Sequence, residues 1–432
     1  MNTHYDAIVI GAGPAGSAAA AVLAMKGRRT LLLEREKFPR YHIGESLIPY
    51  TYFSLKRIGM LERLKKSHFP SKYSVQFVGR SGKRSLPFYF TDHMKHEAGC
   101  TWQVRRSEFD QMLMENAREK GAEVLEETAV TRTIQDGAAT AGVEAVTKDG
   151  RNLEFRAPMT IDATGRDSLS MLRNGWRVRD AKLNKIAIWT YYEGAVRDPG
   201  IDEGATTVAS VPERGWFWYI PLPADVVSVG IVAEKDYLYR GTRDLEEIFL
   251  RVVGENEWVK EHIATGKRVE PFRVTGEYSY RSRYCAADGL VLAGDAFGFL
   301  DPVFSSGLFF ALRSGELAAD AVDAALAADD FSASRFTAYG EEVCRGIEAM
   351  RRLVYAFYDE DFSFGELLKK HPEMGPDITD CLIGNLSRDF EPLFKAVRDF
   401  ANVPERLPHG APLIAAAAEP AVTSGESASL RG

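Results

Sequence analysis

The chain has 432 residues, of which 45% are hydrophobic and 27% charged, so it can bury a sizeable core in two lobes with an appendage. A formal net charge of -7 leaves no overall basic surplus for holding a polyanion by counterion release, which speaks against nucleic acid as a partner. Cys100, Cys285, Cys344 and Cys381 lie far apart without metal-type pairing, in a chain too long to need disulfide staples, and read as reduced thiols of a cytoplasmic protein.

The N-terminus has no charged and apolar leader, because Tyr5-Asp6-Ala7-Ile8-Val9-Ile10 goes straight into a buried strand. No apolar run approaches the ~18 residues needed to cross a bilayer, so no transmembrane segment is expected. After the first strand come Gly11-Ala12-Gly13-Pro14-Ala15-Gly16 and an alanine-rich helical stretch from Ser17 to Met25. A second strand, Arg29 to Leu33, ends in Glu34 and Arg35, about twenty residues beyond the turn, as a dinucleotide-binding unit requires. Gly11 then makes the tight turn, Gly13 admits a pyrophosphate, and Gly16 lets helix and strand pack closely. Ala15 lies at the helix N-terminus, whose amides face the phosphates, and Glu34 accepts hydrogen bonds from a ribose diol. The motif by itself does not separate FAD from NAD.

Further along, Met159 to Asp162 reads as a return strand that leads into Ala163-Thr164-Gly165-Arg166. Gly289 to Ala293 reads as another strand, leading into Gly294-Asp295-Ala296, with a helix from Ser306 onwards. In FAD proteins of the glutathione-reductase-like type an aspartate at this point reaches the ribityl chain, and Asp295 fits. No second GxGxxG follows a strand, so the reducing equivalents must come from elsewhere. The turn Phe304-Ser305-Ser306-Gly307 before an apolar helix presents the amides of Ser306 and Gly307 at an end of positive potential. Such a site suits a halide and equally an anionic reduced flavin. Tyr73 to Phe90 and Ile186 to Tyr280 alternate apolar and polar residues as strands, Phe331 to about Val403 is helical, and Ala411 onwards has the composition of a disordered tail. The aromatic cluster of Tyr355, Phe357, Tyr358, Phe362 and Phe364 reads as core rather than as a lid.

Three segments carry a resemblance. Trp216-Phe217-Trp218-Tyr219-Ile220-Pro221 matches a WxWxIP pattern, Phe299-Leu300-Asp301-Pro302-Val303-Phe304-Ser305-Ser306-Gly307 matches a second loop pattern, and Gly44-Glu45-Ser46-Leu47-Ile48-Pro49 matches a third. From about Tyr5 to about Tyr358 the chain resembles the flavin-dependent halogenases of pyrroles and phenols, within the aromatic hydroxylase-like flavoproteins. The resemblance implies an α/β fold: a glutathione-reductase-like FAD-binding Rossmann domain, an inserted antiparallel β-sheet substrate domain and a helical C-terminal region. The flavin domain would comprise 1–70, 100–175 and 285–330, the substrate domain 71–99 and 176–284, the helical region 331–410 and the tail 411–432.

It further implies FAD, used as FADH2, with a chloride or bromide ion as co-substrate and a separate flavin reductase as partner. Oxygen and halide would give hypohalous acid, held by a lysine and delivered to an electron-rich ring, free or tethered to a carrier protein. Lys72, in Phe69-Pro70-Ser71-Lys72-Tyr73, stands where the family carries that lysine, whereas Lys65, Lys66 and Lys83 read as solvated charges. Ser46, Pro302 and Gly307 would contact the cofactor. Trp216 and Trp218, at i and i+2 of a strand, share a face and either fill core or narrow the space beside the flavin. Arg106, spaced before Phe109-Asp110 as in related flavoproteins, would contact the cofactor or stay solvated. The competing readings are an aromatic hydroxylase reduced by NAD(P)H, a prenyl reductase, against which Glu45-Ser46 speaks, and a flavin carrier without turnover.

Overall fold

The computed structural model describes residues 3–79, 82–211, 215–276 and 279–414. The glycine turn sits at the centre of a six-stranded sheet whose order is Ala286–Ala287, Leu290–Leu292, Met159–Asp162, β1 (Ala7–Ile10), β2 (Thr30–Leu33) and Glu123–Leu125. All its pairings are parallel except the edge hairpin of Ala286–Ala287 with Leu290–Leu292. β1 and β2 are buried along their whole length, which is why they read as unbroken apolar runs rather than alternating ones.

Two helices press on this sheet and on each other: α1 (Pro14–Met25) and the long Gly307–Ala328 helix. Alanine and glycine at the contact permit backbone approach. Gly11 has φ +96°, and a Cβ there would lie 2.5 Å from the Ala163 carbonyl oxygen; one on Gly16 would lie 1.9 Å from the Gly11 oxygen. On the long helix, a Cβ on Gly315 would fall 2.2 Å from the oxygen of Ala15.

A second, eight-stranded sheet runs Lys267–Arg268, Lys185–Glu193, Val226–Glu234, Gly215–Leu222, Thr206–Val211, Ser74–Val78, Phe88–Tyr89, with Arg273–Thr275 also on Lys185–Glu193. It is antiparallel apart from Thr206–Val211 beside Ser74–Val78. That junction joins segments remote in sequence, so no hairpin dictates its direction. The Gly215–Leu222 strand sends Trp216, Trp218 and Ile220 to one core and Phe217 and Tyr219 to the other. Gly230, opposite Trp218, makes room for the indole: a Cβ there would lie 2.2 Å from Trp218 Cζ2.

The strand pattern read across Ile186 to Tyr280 misses the single turn Lys235–Leu238 and two longer helices, Leu245–Val253 and Glu257–Ile263. The signals for the two longer helices were the caps, where Asp244 and Asn256 accept from the amides of Glu247 and Val259, and the helical spacing of Ile248, Phe249, Val252 and Val253. Both helices bury one apolar face beneath the sheet. The C-terminal helices Thr337–Tyr358, Phe364–Lys370, Gly375–Ile383 and Glu391–Val397 fall within the stretch read as helical. At the start of the segment read as a disordered tail, backbone bonds join Ala411 to Cys285 and Leu413 to Ala286. Residues 415–432 lie outside the described residues. Among the described residues no helix is long and apolar enough to cross a membrane, and no group of His, Cys, Asp and Glu could hold a metal ion.

Gly315→Ala should destabilise the chain by about 2 kcal/mol, an overpacking cost typical of a methyl forced against fixed backbone. Urea unfolding of parent and variant measures it; an unchanged midpoint would place the helix crossing elsewhere.

Candidate active site

The parallel strands and the helix N-termini at their C-terminal ends enclose a cavity of about 420 Å³. It runs from Glu34 and Val130 at one end to Trp216 and Trp218 at the other. Such a crevice is where open parallel sheets bind dinucleotides. Gly13 faces it with an ordinary φ of -68°, and the nearest atom to an added Cβ is Arg40 Nη2 at 3.7 Å. Unlike Gly11 and Gly16, this glycine is not needed by the protein's own packing; it leaves space in the cavity. Glu34 is oriented by backbone: Oε2 accepts from the Ala12 amide at 2.8 Å and Oε1 from the Glu36 amide at 2.9 Å. Ala15 and Arg35 are also on the wall, the latter exposed and paired with Asp167.

Asp295, Pro302 and Gly307 line the opposite side. Burial pushes the Asp295 carboxyl up to about 6, partly offset by Arg166 and Arg106. A Cβ on Gly307 would meet nothing within 4 Å, so this helix start opens onto the cavity. Ser306 is different: it is buried at the N-cap with no capping bond from its side chain, and Ser305, at φ +55°, takes the place on the wall. Arg106 lines the cavity, but its guanidinium is engaged by Asp110 at 2.7 and 2.9 Å and by the Ile43 carbonyl at 2.7 Å. It anchors the loop carrying Gly44-Glu45-Ser46, and Arg40 joins Asp110 from that loop at 3.1 Å.

Lys72 is wholly buried in the short Ser71–Lys72 strand, paired with Thr101–Trp102. Its Nζ donates to Ser46 Oγ at 2.8 Å and to the Leu47 carbonyl at 3.0 Å, with the Phe90 ring 5.5 Å away. Burial alone pushes the amine down to about 7. The lysine stands behind Ser46 and Thr206, which are on the wall and bond each other at 2.9 Å. Gln103 steadies this pair by donating to Thr206 Oγ1 at 2.8 Å and to the Gly204 carbonyl at 2.9 Å.

The two indoles are held by polar tips. Trp216 Nε1 donates to Tyr358 at 2.8 Å, Tyr358 donates to Asp301 at 2.7 Å, and Trp218 Nε1 donates to Ser228 at 3.0 Å. Sequence reasoning took Tyr358 as part of an aromatic core and gave Asp301 no role of its own; both support Trp216 from another segment, and no local pattern announces that. Glu45, also on the wall, accepts from Tyr191 at 2.8 Å, while its Oε2 is buried with no hydrogen bond of good geometry among the described residues and the Ser228 hydroxyl beside the carboxyl. It was visible only as one letter of a motif. The crevice, the opening at Gly13 and the oriented Glu34 fit a flavin dinucleotide, with Asp295 and Gly307 on the far wall and the indoles at the end.

Because Lys72 falls from 10.5 to about 7 on folding, the unfolded chain holds a proton that the folded chain has released between those values. Its contribution to stability therefore rises with pH through that window. Lys72→Met should compare best with the parent below about pH 7 and lose ground as pH climbs, measured as urea midpoints across the range. A pH-independent difference would show a lysine of ordinary basicity.

The description "Tryptophan halogenase" belongs to the family model that matches residues 6–101 and 89–370. The chain is 31% identical over 410 residues to the 1H-pyrrole-2-carbonyl-[peptidyl-carrier protein] chlorinase of Pseudomonas fluorescens, covering 89% of this chain and 90% of the relative. It is 30% identical to the corresponding brominase of Pseudoalteromonas luteoviolacea, covering 88% and 90%. Among solved structures, the flavin-dependent brominase Bmp2 superposes with a TM-score of 0.83 at 30% identity, over 92% of this chain and 97% of that one. The myxobacterial chondrochloren halogenase CndH gives 0.79 at 31%, over 92% and 96%. With a crevice that fits a flavin and a match across most of its length, the chain belongs to the flavin-dependent halogenases, FAD-dependent enzymes of the tryptophan halogenase family.

Proposed function

We propose that this halogenase uses FADH2, oxygen and a chloride or bromide ion to halogenate an electron-rich pyrrole or phenol ring, with Lys72 holding the hypohalous acid. The observation that carries the reading is a lysine buried without a carboxylate, bonded to a serine on the wall of the flavin crevice. An amine used for structure would be paired or solvated. The related pyrrole-carrier chlorinase and brominase support the ring class. The ring is presented free or on a carrier protein.

Bound and reduced, FAD supplies hypohalous acid from oxygen and halide. The chain's own residues do the rest. The α1 N-terminus and the space over Gly13 receive the pyrophosphate, Glu34 the adenosine ribose and Asp295 the ribityl chain. Gly307, at the start of a 22-residue helix, offers the halide an end of positive potential. Trp216 and Trp218 close the far end and keep the ring from the flavin. Ser46 links that space to Lys72, whose amine, near 7, can hold a proton and give it toward the oxygen of the hypohalous acid, making the halogen electrophilic. The ammonium share falls above about pH 7, so halogenated product per flavin oxidised should decline there. A separate reductase supplies the reduced flavin, and NAD(P)H alone should reduce the bound flavin slowly.

Mass spectrometry of pyrrole and phenol panels, free and carrier-bound, with a flavin reductase and each halide, tests the reading. Halide-dependent gain of halogen supports it; gain of one oxygen instead would make the protein a hydroxylase. Gly13→Val should keep the parent's fold by circular dichroism, since no protein atom crowds the site, yet lose FAD in a binding titration. Lys72→Ala should retain FAD and continue to oxidise it while halogenated product falls ~100-fold or more, the loss expected for a positioned proton donor. Exposed Lys83 supplies the control, and Lys83→Ala should match the parent. Undiminished halogenation by Lys72→Ala would remove the lysine from the mechanism.

A further inference from the structure

Glu45 is 3% exposed on the cavity wall, next to Ser46, and its Oε2 makes no hydrogen bond of good geometry among the described residues, with the Ser228 hydroxyl beside the carboxyl. Its other oxygen ends a row of hydroxyls. Tyr191 donates to Oε1 at 2.8 Å, the Tyr41 and Tyr191 hydroxyls are 2.9 Å apart, and Trp189 Nε1 donates to Tyr41 at 2.6 Å. A phenol has one proton to give, and that of Tyr191 is given to Glu45, so Tyr41 must be the donor to Tyr191. The indole can only donate and reinforces the same direction. Tyr191 is buried, whereas Tyr41 is 42% exposed, with the Arg273 guanidinium 3.7 Å from its ring. The row thus runs from the partly exposed Tyr41 along the crevice-side face of the second sheet, the face that also carries Trp216 and Trp218, to Glu45 on the cavity wall.

We propose that Tyr41, Tyr191 and Glu45 are the proton inlet of the flavin cavity, with Glu45 handing protons from solvent to the reaction. The inference rests on the halogenation reading for its purpose. Reduced flavin, oxygen, a halide anion, one proton and an aryl C–H give oxidised flavin, an aryl halide and two waters. Oxygen takes up four electrons, two from the flavin and two from the halide and C–H together, so each turnover draws one proton into the site. In the inlet, the Tyr191 proton moves to the carboxylate, the Tyr41 proton replaces it, and a solvent proton replaces that of Tyr41. Rotation of the hydroxyls then resets the row.

Glu45 suits this task by its surroundings. Burial pushes it up to about 7, against the pull of Ser228, Tyr191, Arg106 and Arg105. Arg106 is itself held by Asp110, and it also faces Asp295. His42, on the same loop, is pushed down to about 3 by burial and Arg106, so it stays neutral and does not compete for the proton. Ser228, beside the carboxyl, receives Trp218 Nε1 and so ties Glu45 to the indole wall. The carboxyl therefore changes charge in the range where Lys72 also does.

The test uses the full chain loaded with oxidised FAD and follows the infrared carbonyl band of protonated carboxyl after an alkaline-to-acid pH jump. The parent should gain a band with a midpoint near 7 that Glu45→Gln lacks. Tyr191→Phe and Tyr41→Phe should keep the band and FAD affinity but delay its appearance by ~10-fold or more, and slow halogenation with it. Without FAD the delay should shrink, because water then reaches Glu45 directly from the cavity; this separates an inlet from a merely structural tyrosine. Should Glu45→Gln fail to fold, the two phenylalanine variants carry the test. Proton uptake by Tyr191→Phe at the parent's rate overturns the inlet, whether or not the protein halogenates. Uptake that depends on Tyr191 in a protein that adds no halogen to any ring keeps the inlet and overturns the halogenase reading.

Discussion

The site depends on one steric constraint, the contact of backbone with backbone where α1 crosses the parallel sheet and the long Gly307–Ala328 helix. Gly16 touches the carbonyl of Gly11, Gly11 that of Ala163, and Gly315 that of Ala15, each at a distance no side chain could occupy. These contacts put two helix N-termini at the ends of the strands. They leave a crevice whose floor is amide and whose walls carry Glu34 and Asp295. A larger residue at any of the three would move a helix by the width of a methyl group or more, and a close-packed interior transmits such a shift.

Desolvation is what the rest of the site exploits. Lys72 near 7, Glu45 near 7, Asp295 near 6 and Asp301 near 6 are each moved toward neutrality, with burial as the largest cause. None of these groups has a matching opposite charge in direct contact, so each keeps a proton affinity in the neutral range. Where the structure needs a fixed charge it supplies partners instead: Arg106 and Asp110 are both buried, and burial is outweighed by their mutual attraction, which keeps both ionised. The loop that carries Glu45 and Ser46 is therefore anchored by a permanent ion pair and tipped by groups that titrate.

Local spacing does not decide which partner a side chain meets once the chain has folded. Arg106, read as a cofactor contact or a solvated charge, is buried on the cavity wall, with its guanidinium held by Asp110 one turn along its own helix and by the Ile43 carbonyl. Ser306 and Gly307 are neighbours in sequence, yet only Gly307 reaches the cavity, since the helix start turns the serine inwards. The Leu245–Val253 and Glu257–Ile263 helices lie in a region read as alternating strands, although Ile248, Phe249, Val252 and Val253 carry the i, i+1, i+4, i+5 spacing of a helix with one buried face.

The sequence by itself determined the dinucleotide turn, the acidic residue after β2, the shared face of Trp216 and Trp218, and the motifs of the family, and only the family resemblance singled out Lys72. These follow from local geometry: strand, turn and helix propensities act over a few residues, and a motif keeps its spacing whatever surrounds it. Only the tertiary structure decided that Gly13 is open where Gly11 and Gly16 are filled, that Lys72 has lost its solvent, and that Tyr358 and Asp301 support an indole from another segment. It alone joined Tyr41, Tyr191 and Glu45, residues separated by up to 150 positions, into one row. Burial and long-range hydrogen bonds are properties of chain segments brought together, and a proton affinity set by desolvation exists only after the water has been excluded.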